Sequence, residues 1–329
     1  MPDTPNDDVL ELPDVAAIRS AAARIAPYVH RTPVLTCRAL DAEAGASLHF
    51  KCENFQKIGA FKARGATNAV FLLSDEQAKN GVVTHSSGNH AAAVARAAQL
   101  RGIPAYIVMP TNVPKTKQMS VRRHGGQITF CEPTITAREA AVEKLIAETG
   151  AELVHPYNDL RVMAGQGTAT LELLEDQPDL DLVLCPVGGG GLLSGTAVAA
   201  KGVKPGIRVV GVEPAGADDA YRSFKTGHIV SDAVPNTIAD GLRGRLGDRT
   251  FREIQEHADD IVVVSEEAIV LAMRAIWEMV KIVVEPSAAV PYAAVIERKI
   301  DVRGLKVGLI LTGGNLDLES LPWSTLIVL

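Results

Sequence analysis

The chain has 329 residues and a formal net charge of −6, with 47% hydrophobic and 22% charged residues. This composition is typical of a soluble globular protein, and the length suits two α/β domains. The acidic balance disfavours broad nucleic-acid binding, which needs a basic face, and no apolar run reaches the roughly 18 residues of a membrane span.

The four cysteines have no CxxC or CxxH spacing, which disfavours zinc and thioredoxin-type sites. Cys131 and Cys185 lie in apolar, strand-like runs, so we expect buried free thiols. Residues 1–10 are acidic and lack the pattern of a secretory signal. These features predict a protein of the reducing cytoplasm.

Strand-like and helix-like patterns alternate along the chain. Segment 47–53 alternates strictly, with Leu48, Phe50 and Cys52 on one face. Further strands are predicted at 81–85, 105–109, 127–131, 153–155, 180–187, 209–212, 261–265 and 307–311. Helices are predicted at 89–100, 115–124, 137–149 and 192–200. The alternation predicts an α/β fold in which helices cover both sides of a parallel sheet.

Lys62 directly follows Phe61, between a glycine turn and an Ala-rich helical run. A lysine amine can form a Schiff base with an aldehyde such as that of pyridoxal 5′-phosphate (PLP). The alternative is an ordinary surface charge. Spacing by itself does not choose Lys62 over Lys57 or Lys51.

Four consecutive glycines, at 188–191, follow one predicted strand and precede a predicted helix. Without Cβ atoms, several backbone N–H groups can converge on an anion, and the helix N-terminus adds a partial positive charge. The segment matches neither the Walker A pattern nor GxGxxG. It predicts a phosphate site, with a tight strand–helix turn as the alternative.

Two further polar segments follow predicted strands. Segment 86–90, Ser-Ser-Gly-Asn-His, could bind a carboxylate at the carboxyl end of its strand or simply cap the next helix. Thr312 precedes a Gly-Gly pair and could face a ligand or belong to a plain turn. Arg138, near the start of a predicted helix, could bind a carboxylate or be a surface charge.

Glu213 ends a predicted strand, and Asp218 and Asp219 follow closely. Oxygen ligands at this density could hold a hard cation such as Mg²⁺, and a solvated acidic loop is the alternative. The histidines lack paired metal-ligand spacing, so His90 and His155 are interpreted as hydrogen-bonded structural residues.

The combination and order of these motifs resemble the fold type II PLP enzymes, in particular serine racemase and the serine/threonine dehydratases. The likeness runs from residue 31 to residue 315, through segments 31–35, 55–57, 86–90, 164–168, 186–191, 237–241, 285–287 and 313–315. It implies two open, twisted, mostly parallel sheets flanked by helices, with the cofactor between a large and a small domain. The large domain would comprise 1–74 and 158–329, and the small domain 75–157. The family is often homodimeric.

By matching position, the resemblance implies that Lys62 is the Schiff-base lysine and that Phe61 packs on the cofactor ring. Asn89 matches the residue that hydrogen-bonds the ring O3′, and Thr312 matches the hydroxyl that faces the pyridine nitrogen. The phosphate loop corresponds to Gly188, Gly189, Gly190 and Gly191.

The resemblance also implies a substrate site for an amino acid, formed by Ser86, Ser87, Asn89, His90, Arg138 and Gly241. Ser87 matches the serine that, in racemases, handles a proton on the face opposite the lysine. A divalent-cation site corresponds to Glu213, the carbonyl of Ala217, and Asp219.

The chain departs from the family pattern near the substrate. Ala91 and Ala92 replace a frequent Gly-Gln pair, and Gly244 stands where serine racemases usually have serine. Ile58 replaces a common threonine, which bears on nucleotide activation. These positions bear on which amino acid the site accepts.

The resemblance implies a PLP-dependent ammonia-lyase that eliminates water from L-serine or L-threonine to give a 2-oxo acid and ammonia, with serine racemisation as a second activity. A 3-hydroxyaspartate dehydratase is the main alternative, with Arg243 and Arg245 either binding the second carboxylate or facing solvent. Further alternatives are a β-replacement enzyme of the cysteine synthase type and a non-catalytic regulator that binds a phosphate ligand.

Overall fold

The computed structural model describes residues 13–232 and 234–323. The strands are β1 (Val34–Leu35), β2 (Ser47–Cys52), β3 (Val82–His85), β4 (Ala105–Pro110), β5 (Gln127–Cys131), β6 (Glu152–Leu153), β7 (Leu182–Pro186), β8 (Arg208–Pro214), β9 (Asp260–Val264) and β10 (Lys306–Leu311).

The longer helices surround these strands. They are α1 (Val15–Ile25), α2 (Arg38–Ala44), α3 (Lys62–Leu72), α4 (Asp75–Ala78), α5 (Asn89–Arg101), α6 (Lys115–Arg123), α7 (Ile135–Thr149), α8 (Leu160–Asp176), α9 (Gly191–Val203), α10 (Asp219–Thr226), α11 (Asp248–His257), α12 (Glu266–Ala275) and α13 (Pro286–Ile296). None of the helices within the described ranges is long and apolar enough to cross a membrane.

The described strands form a six-stranded sheet, in the order β1-β2-β10-β7-β8-β9, and a four-stranded sheet, in the order β5-β4-β3-β6. All neighbouring strands are parallel except the β1–β2 pair. The predicted α/β fold with mostly parallel sheets is therefore confirmed. The domain boundaries at 74/75 and 157/158 stay a prediction.

The predicted helices form where capping residues start and stop them. Pro114 is the N-cap of α6, and Gly150 ends α7 in the left-handed conformation that glycine accepts without strain. The prediction for 153–155 was less accurate, because β6 ends at Leu153 and His155 lies in the following turn.

The second face of β2 becomes buried at the carboxyl end of the strand, although its residues are polar: His49 is half-buried and Lys51 is buried. Lys51 and Glu53 are both fully buried, as is Arg64 of α3. The Arg64 guanidinium donates to Glu53 Oε2 at 2.7 Å and to Glu172 Oε1 of α8 at 2.8 Å, and Lys51 Nζ donates to Glu172 Oε2 at 2.6 Å. This network holds α3 and α8 against β2, because breaking a buried ion pair leaves an uncompensated charge.

Candidate active site

Loops at the carboxyl ends of β2 and β10 are joined by backbone hydrogen bonds. Ala60 and Gly313 form an antiparallel bridge, Phe61 N donates to Thr312 O at 2.9 Å, and Gly314 N donates to Gly59 O at 3.0 Å. Lys62 is the first residue of α3. The pairing therefore places Lys62 close to Thr312 in space, although they are far apart in sequence.

The Lys62 amine meets a backbone carbonyl and not a carboxylate. Its Nζ donates to the Pro156 carbonyl oxygen at 2.7 Å and lies 5.1 Å from the centre of the Phe61 ring. Burial lowers the pKa of Lys62 to about 8. A larger share of the amine is therefore unprotonated near neutral pH, as a nucleophile or base requires.

The glycine loop lies between β7 and α9 and is packed too closely for side chains. A Cβ on Gly188 would lie 2.8 Å from Leu242 Cα, and one on Gly189 would overlap the Tyr157 ring. Gly190 has a φ of +89° and caps α9 without a side-chain hydrogen bond. The first N–H groups of α9 are thus not hydrogen-bonded to a capping side chain. Binding of a phosphate requires such uncapped N–H groups.

Thr312 follows β10, and its side chain is buried. Its Oγ1 has no hydrogen-bond partner among the residues that the structure describes. A buried hydroxyl without a partner is costly, and a ligand nitrogen beside it would remove the cost. Three groups of the site thus fit the three parts of PLP. The glycine loop fits its phosphate, the Thr312 hydroxyl its ring nitrogen, and the Lys62 amine its aldehyde.

Asn89 opens α5, and both ends of its amide are bonded. Its Nδ2 donates to the Glu285 carboxyl oxygens at 3.1 and 3.3 Å, and its Oδ1 accepts from Asn315 Nδ2 at 2.9 Å. Burial raises the pKa of Glu285 to about 7, and the charge of Asp240 adds to this effect. Sequence reasoning noted the motifs that contain Glu285 and Asn315 but missed that they orient Asn89.

The segment 86–90 connects β3 to α5, as predicted. Ser86 Oγ accepts from Gly88 N at 3.3 Å, and Ser87 is half-buried. His90 Nε2 donates to the Val154 carbonyl at 3.1 Å, which agrees with a hydrogen-bonded structural histidine. Burial, together with the Lys62 charge, holds the pKa of His90 well below its usual value, so the ring is neutral.

Arg138 and Gly241 lie at the ends of other elements. Arg138 is in the first turn of α7, and its buried Nε has no partner in the described part of the chain. This donor is suited to a carboxylate. Gly241 N donates to Ser287 Oγ at 3.1 Å, so Gly241 packs against the start of α13.

Segment 156–158 was missed as part of the site. The Pro156 carbonyl receives Lys62, and the Tyr157 ring lies against the glycine loop, with Cε1 3.4 Å from where a Cβ on Gly244 would be. Its position directly after β6, at the carboxyl edge of the small sheet, was the available signal.

The two arginines that flank Gly244 differ. Arg243 is exposed and its guanidinium donates to the Thr237 carbonyl at 2.7 and 3.3 Å. Arg245 is half-buried, and its charge acts on the pKa of both Tyr157 and Asp219. Of the two, Arg245 is therefore the one whose charge acts on Tyr157 and Asp219.

Glu213 and Asp219 are buried carboxylates near each other. Glu213 accepts from the backbone N–H groups of Ala220 and Tyr221 at 3.0 and 2.7 Å. Burial raises the pKa of Asp219 to about 6 and that of Glu213 well above its usual value. Asp219 Oδ2 is buried and, among the described residues, has no hydrogen-bond partner.

This arrangement fits a cation, which would relieve the repulsion between the two carboxylates. No group of three or more His, Cys, Asp and Glu side chains in the described ranges is placed to hold a metal ion. A cation here would therefore also need oxygen ligands such as the carbonyl of the buried Ala217.

Comparison with known proteins gives consistent matches over nearly the whole chain. Residues 25–313 match the family described as pyridoxal-phosphate dependent enzyme. The chain is 51% identical over 313 residues to beta-hydroxyaspartate dehydratase of Paracoccus denitrificans (strain Pd 1222), covering 95% of this chain and 99% of that protein. It is also 51% identical over 318 residues to serine racemase of Oryza sativa subsp. indica, covering 95% and 94%.

The structure of maize serine racemase superimposes with a TM-score of 0.93 at 49% identity, covering 96% of this chain and 97% of that one. The match therefore extends from sequence to three-dimensional structure. On these grounds, the chain belongs to the family of pyridoxal-phosphate dependent enzymes, within its group of lyases and racemases.

Proposed function

We propose that the chain is a PLP-dependent ammonia-lyase that removes water from a β-hydroxy amino acid such as L-serine or L-threonine, yielding a 2-oxo acid and ammonia. The observation that carries this proposal is the Lys62 amine, which is bonded to the Pro156 carbonyl and has a lowered pKa. The buried Thr312 hydroxyl, which has no hydrogen-bond partner in the described part of the chain, supports it. Lys62 would bind the cofactor aldehyde, the glycine loop its phosphate, and Thr312 its ring nitrogen.

Bound PLP would supply an electron sink for the electron pair left at the substrate Cα. With the cofactor bound, the free Lys62 amine would take the Cα proton, and its positioning would contribute much of the rate. The electron pair then forms the Cα–Cβ double bond as the Cβ–O bond breaks. The hydroxyl leaves as water with a proton from Lys62, and the released enamine is hydrolysed to the 2-oxo acid and ammonia.

Thr312 favours this outcome because its hydroxyl is neutral. A carboxylate partner would keep the ring nitrogen protonated, whereas a hydroxyl would not. Thr312 would therefore hold the cofactor in a form that favours elimination over transamination.

The substrate carboxylate is assigned to the segment 86–90 and Arg138. Arg138 Nε is the buried donor whose partner the substrate would supply. The neutral His90 ring, bonded to the Val154 carbonyl, would shape the floor of this pocket.

Borohydride reduction of the holoenzyme should leave the cofactor covalently attached to Lys62. Lys62→Ala should lower 2-oxo acid release from L-serine by a factor on the order of 10³ or more, because it removes both the attachment point and the base. Peptide mass spectrometry and a coupled 2-oxo acid assay measure the two effects. Lys57→Ala, in the same loop, is the matched control. Label on Lys57, or a colourless purified protein, would contradict the assignment.

Racemisation of serine is a second activity that Ser87 would support. After Lys62 removes the Cα proton from one face, the Ser87 hydroxyl would deliver a proton to the other face and invert the centre. Similarity to rice and maize serine racemases supports this part of the proposal.

Ser87→Ala should abolish D-serine formation from L-serine while elimination falls by less than about fivefold, because only the second face loses its proton donor. Chiral chromatography and the 2-oxo acid assay measure both products in one reaction. Ser86→Ala, which alters the same carboxylate-binding segment but keeps the Ser87 hydroxyl, is the comparison and should change both products in the same proportion. Equal losses of both products would refute the separate roles.

The second candidate is a 3-hydroxyaspartate dehydratase. It is favoured by the identity to the Paracoccus denitrificans dehydratase and by Arg245, whose charge acts on Tyr157. A guanidinium there could bind the second carboxylate of the substrate.

If this candidate is right, Arg245→Ala should raise KM for 3-hydroxyaspartate by about tenfold or more and leave that for L-serine unchanged, because a charge-assisted hydrogen bond is lost. Arg243→Ala, whose guanidinium is bonded to the backbone, should change neither value. Steady-state kinetics with L-serine, L-threonine and 3-hydroxyaspartate measure the preference. An equal loss for all three substrates would eliminate this role for Arg245.

We also propose that Glu213, the Ala217 carbonyl and Asp219 hold a divalent cation such as Mg²⁺. The support is the pair of buried carboxylates with raised pKa values and Asp219 Oδ2, which has no hydrogen-bond partner among the described residues. The Asp219 charge acts on Tyr157, whose ring lies against the glycine loop, so the cation would stabilise the cofactor-binding side of the site.

Added Mg²⁺ should raise the melting temperature of the EDTA-treated protein, and Asp219→Asn should abolish the increase. Because the pKa of Asp219 is raised to about 6, the carboxyl takes up a proton below that pH, and the Mg²⁺ effect should fade as the pH falls through 6. Differential scanning fluorimetry measures the shift. Asp218→Asn, beside it in sequence, should respond like the parent. No Mg²⁺ effect in the parent protein would count against the site.

A further inference from the structure

Segment 155–158 contacts three separate parts of the candidate site. The Pro156 carbonyl receives the Lys62 amine, and Tyr157 lies against Gly189 of the phosphate loop. Asn158 Oδ1 accepts from Arg249 N at 3.1 Å at the start of α11. A change in the shape of this turn would therefore displace all three contacts at once.

The turn is closed by a single side-chain nitrogen. His155 Nδ1 accepts from Tyr157 N at 3.3 Å and from Asn158 N at 2.9 Å. Pro156 lies between His155 and Tyr157. It has no N–H and a restricted φ, so the direction of its carbonyl depends on the residues on either side. Asn and Ser side chains close turns in the same way when they accept backbone N–H groups two or three residues ahead.

An acceptor nitrogen must carry no proton, and the surroundings of His155 keep it so. Burial, helped by the charges of His85, Lys62 and Arg249 and opposed by that of Asp248, lowers the pKa of His155 to about 3. The ring is therefore neutral, so Nδ1 can accept while Nε2 carries the proton. The His155 ring also packs edge-on against His85, with 5.3 Å between ring centres, and against Tyr157 at 4.7 Å. Ring packing and hydrogen bonding are thus two separable contributions of one side chain.

We propose that His155 is a positioning residue for the reaction. The two hydrogen bonds to its Nδ1 hold the Pro156 carbonyl toward the Lys62 amine and the Tyr157 ring against the glycine loop. This inference rests on the proposed role of Lys62. Cofactor binding would then depend on the hydrogen bonds to His155 Nδ1 and not on the packing of its ring.

Two substitutions separate the nitrogen from the ring. His155→Asn keeps an acceptor within reach of the N–H groups of residues 157 and 158 but removes the aromatic surface. His155→Phe keeps the edge-on packing with His85 and Tyr157 but removes the acceptor. The dissociation constant for PLP, measured by titrating the cofactor-free protein, compares the two.

We expect His155→Phe to weaken PLP binding by about tenfold or more, because two backbone N–H groups lose their acceptor, and His155→Asn to stay within about threefold of the parent. Hydrogen exchange should be faster at the amides of Tyr157 and Asn158 in the Phe variant only. The reverse order of affinities, or equal losses, would overturn the proposal.

If the Phe variant does not fold by circular dichroism, His155→Asn and His155→Ser decide, since both keep an acceptor without a ring. A loss above tenfold in both would overturn the proposal, and retention in either would support it. Borohydride labelling of the parent distinguishes a failure of the proposed function from a failure of the role proposed for His155. Label away from Lys62 defeats the proposed function, whereas label on Lys62 with parent-like PLP binding in His155→Phe defeats only the role of His155.

Discussion

The site depends on keeping one lysine amine buried without a carboxylate partner. Lys62 donates to the Pro156 carbonyl, and burial alone accounts for its lowered pKa. Lys51 of β2 is fully buried and is bonded to Glu172 at 2.6 Å, whereas the Lys62 side chain is half-buried. A carbonyl orients an amine without stabilising its charged form as a carboxylate would, so the lowered pKa of Lys62 supports its proposed role.

The buried carboxylates also fall into two groups, one paired with cations in the scaffold and one at the proposed cation site. Glu53 and Glu172 are neutralised by Arg64 and Lys51, which anchors α3, the helix that begins with Lys62. Glu213 and Asp219 are buried carboxylates whose pKa values are raised, although backbone N–H groups oppose the shift at both and the Arg245 charge opposes it at Asp219. Fully paired charges stabilise the scaffold, whereas buried carboxylates with raised pKa values are candidates for completion by a ligand.

Strand direction explains why these groups meet. In parallel sheets the carboxyl ends of the strands lie on one edge, so the loops after β2, β7, β8 and β10 converge. The β3–α5 loop and the turn after β6 bring the second sheet to the same place. Backbone pairing of Ala60 with Gly313 then brings Lys62 close to Thr312. Side-chain packing alone would not define this arrangement.

The sequence by itself determined most of the strands, because periodicity and glycines act over a few residues. Several helices were not predicted, among them α1, α2, α8 and α10 to α13. The sequence predicted the strand before Gly188, the helix after Asn89 and the mostly parallel sheets. It did not predict that the polar face of β2 is buried, because the partners of Lys51 and Glu53 lie on α8 and α3.

The tertiary structure decided the rest of the site. It gave the amines of Lys62 and Lys51 different partners, joined Asn315 to Asn89, and placed the turn at His155 between Lys62 and the glycine loop. Each of these contacts joins separate elements or depends on the direction of a single carbonyl or ring nitrogen. Local patterns of hydrophobicity carry no information about such partners, since a hydrogen bond is specified by distance and orientation in the folded chain.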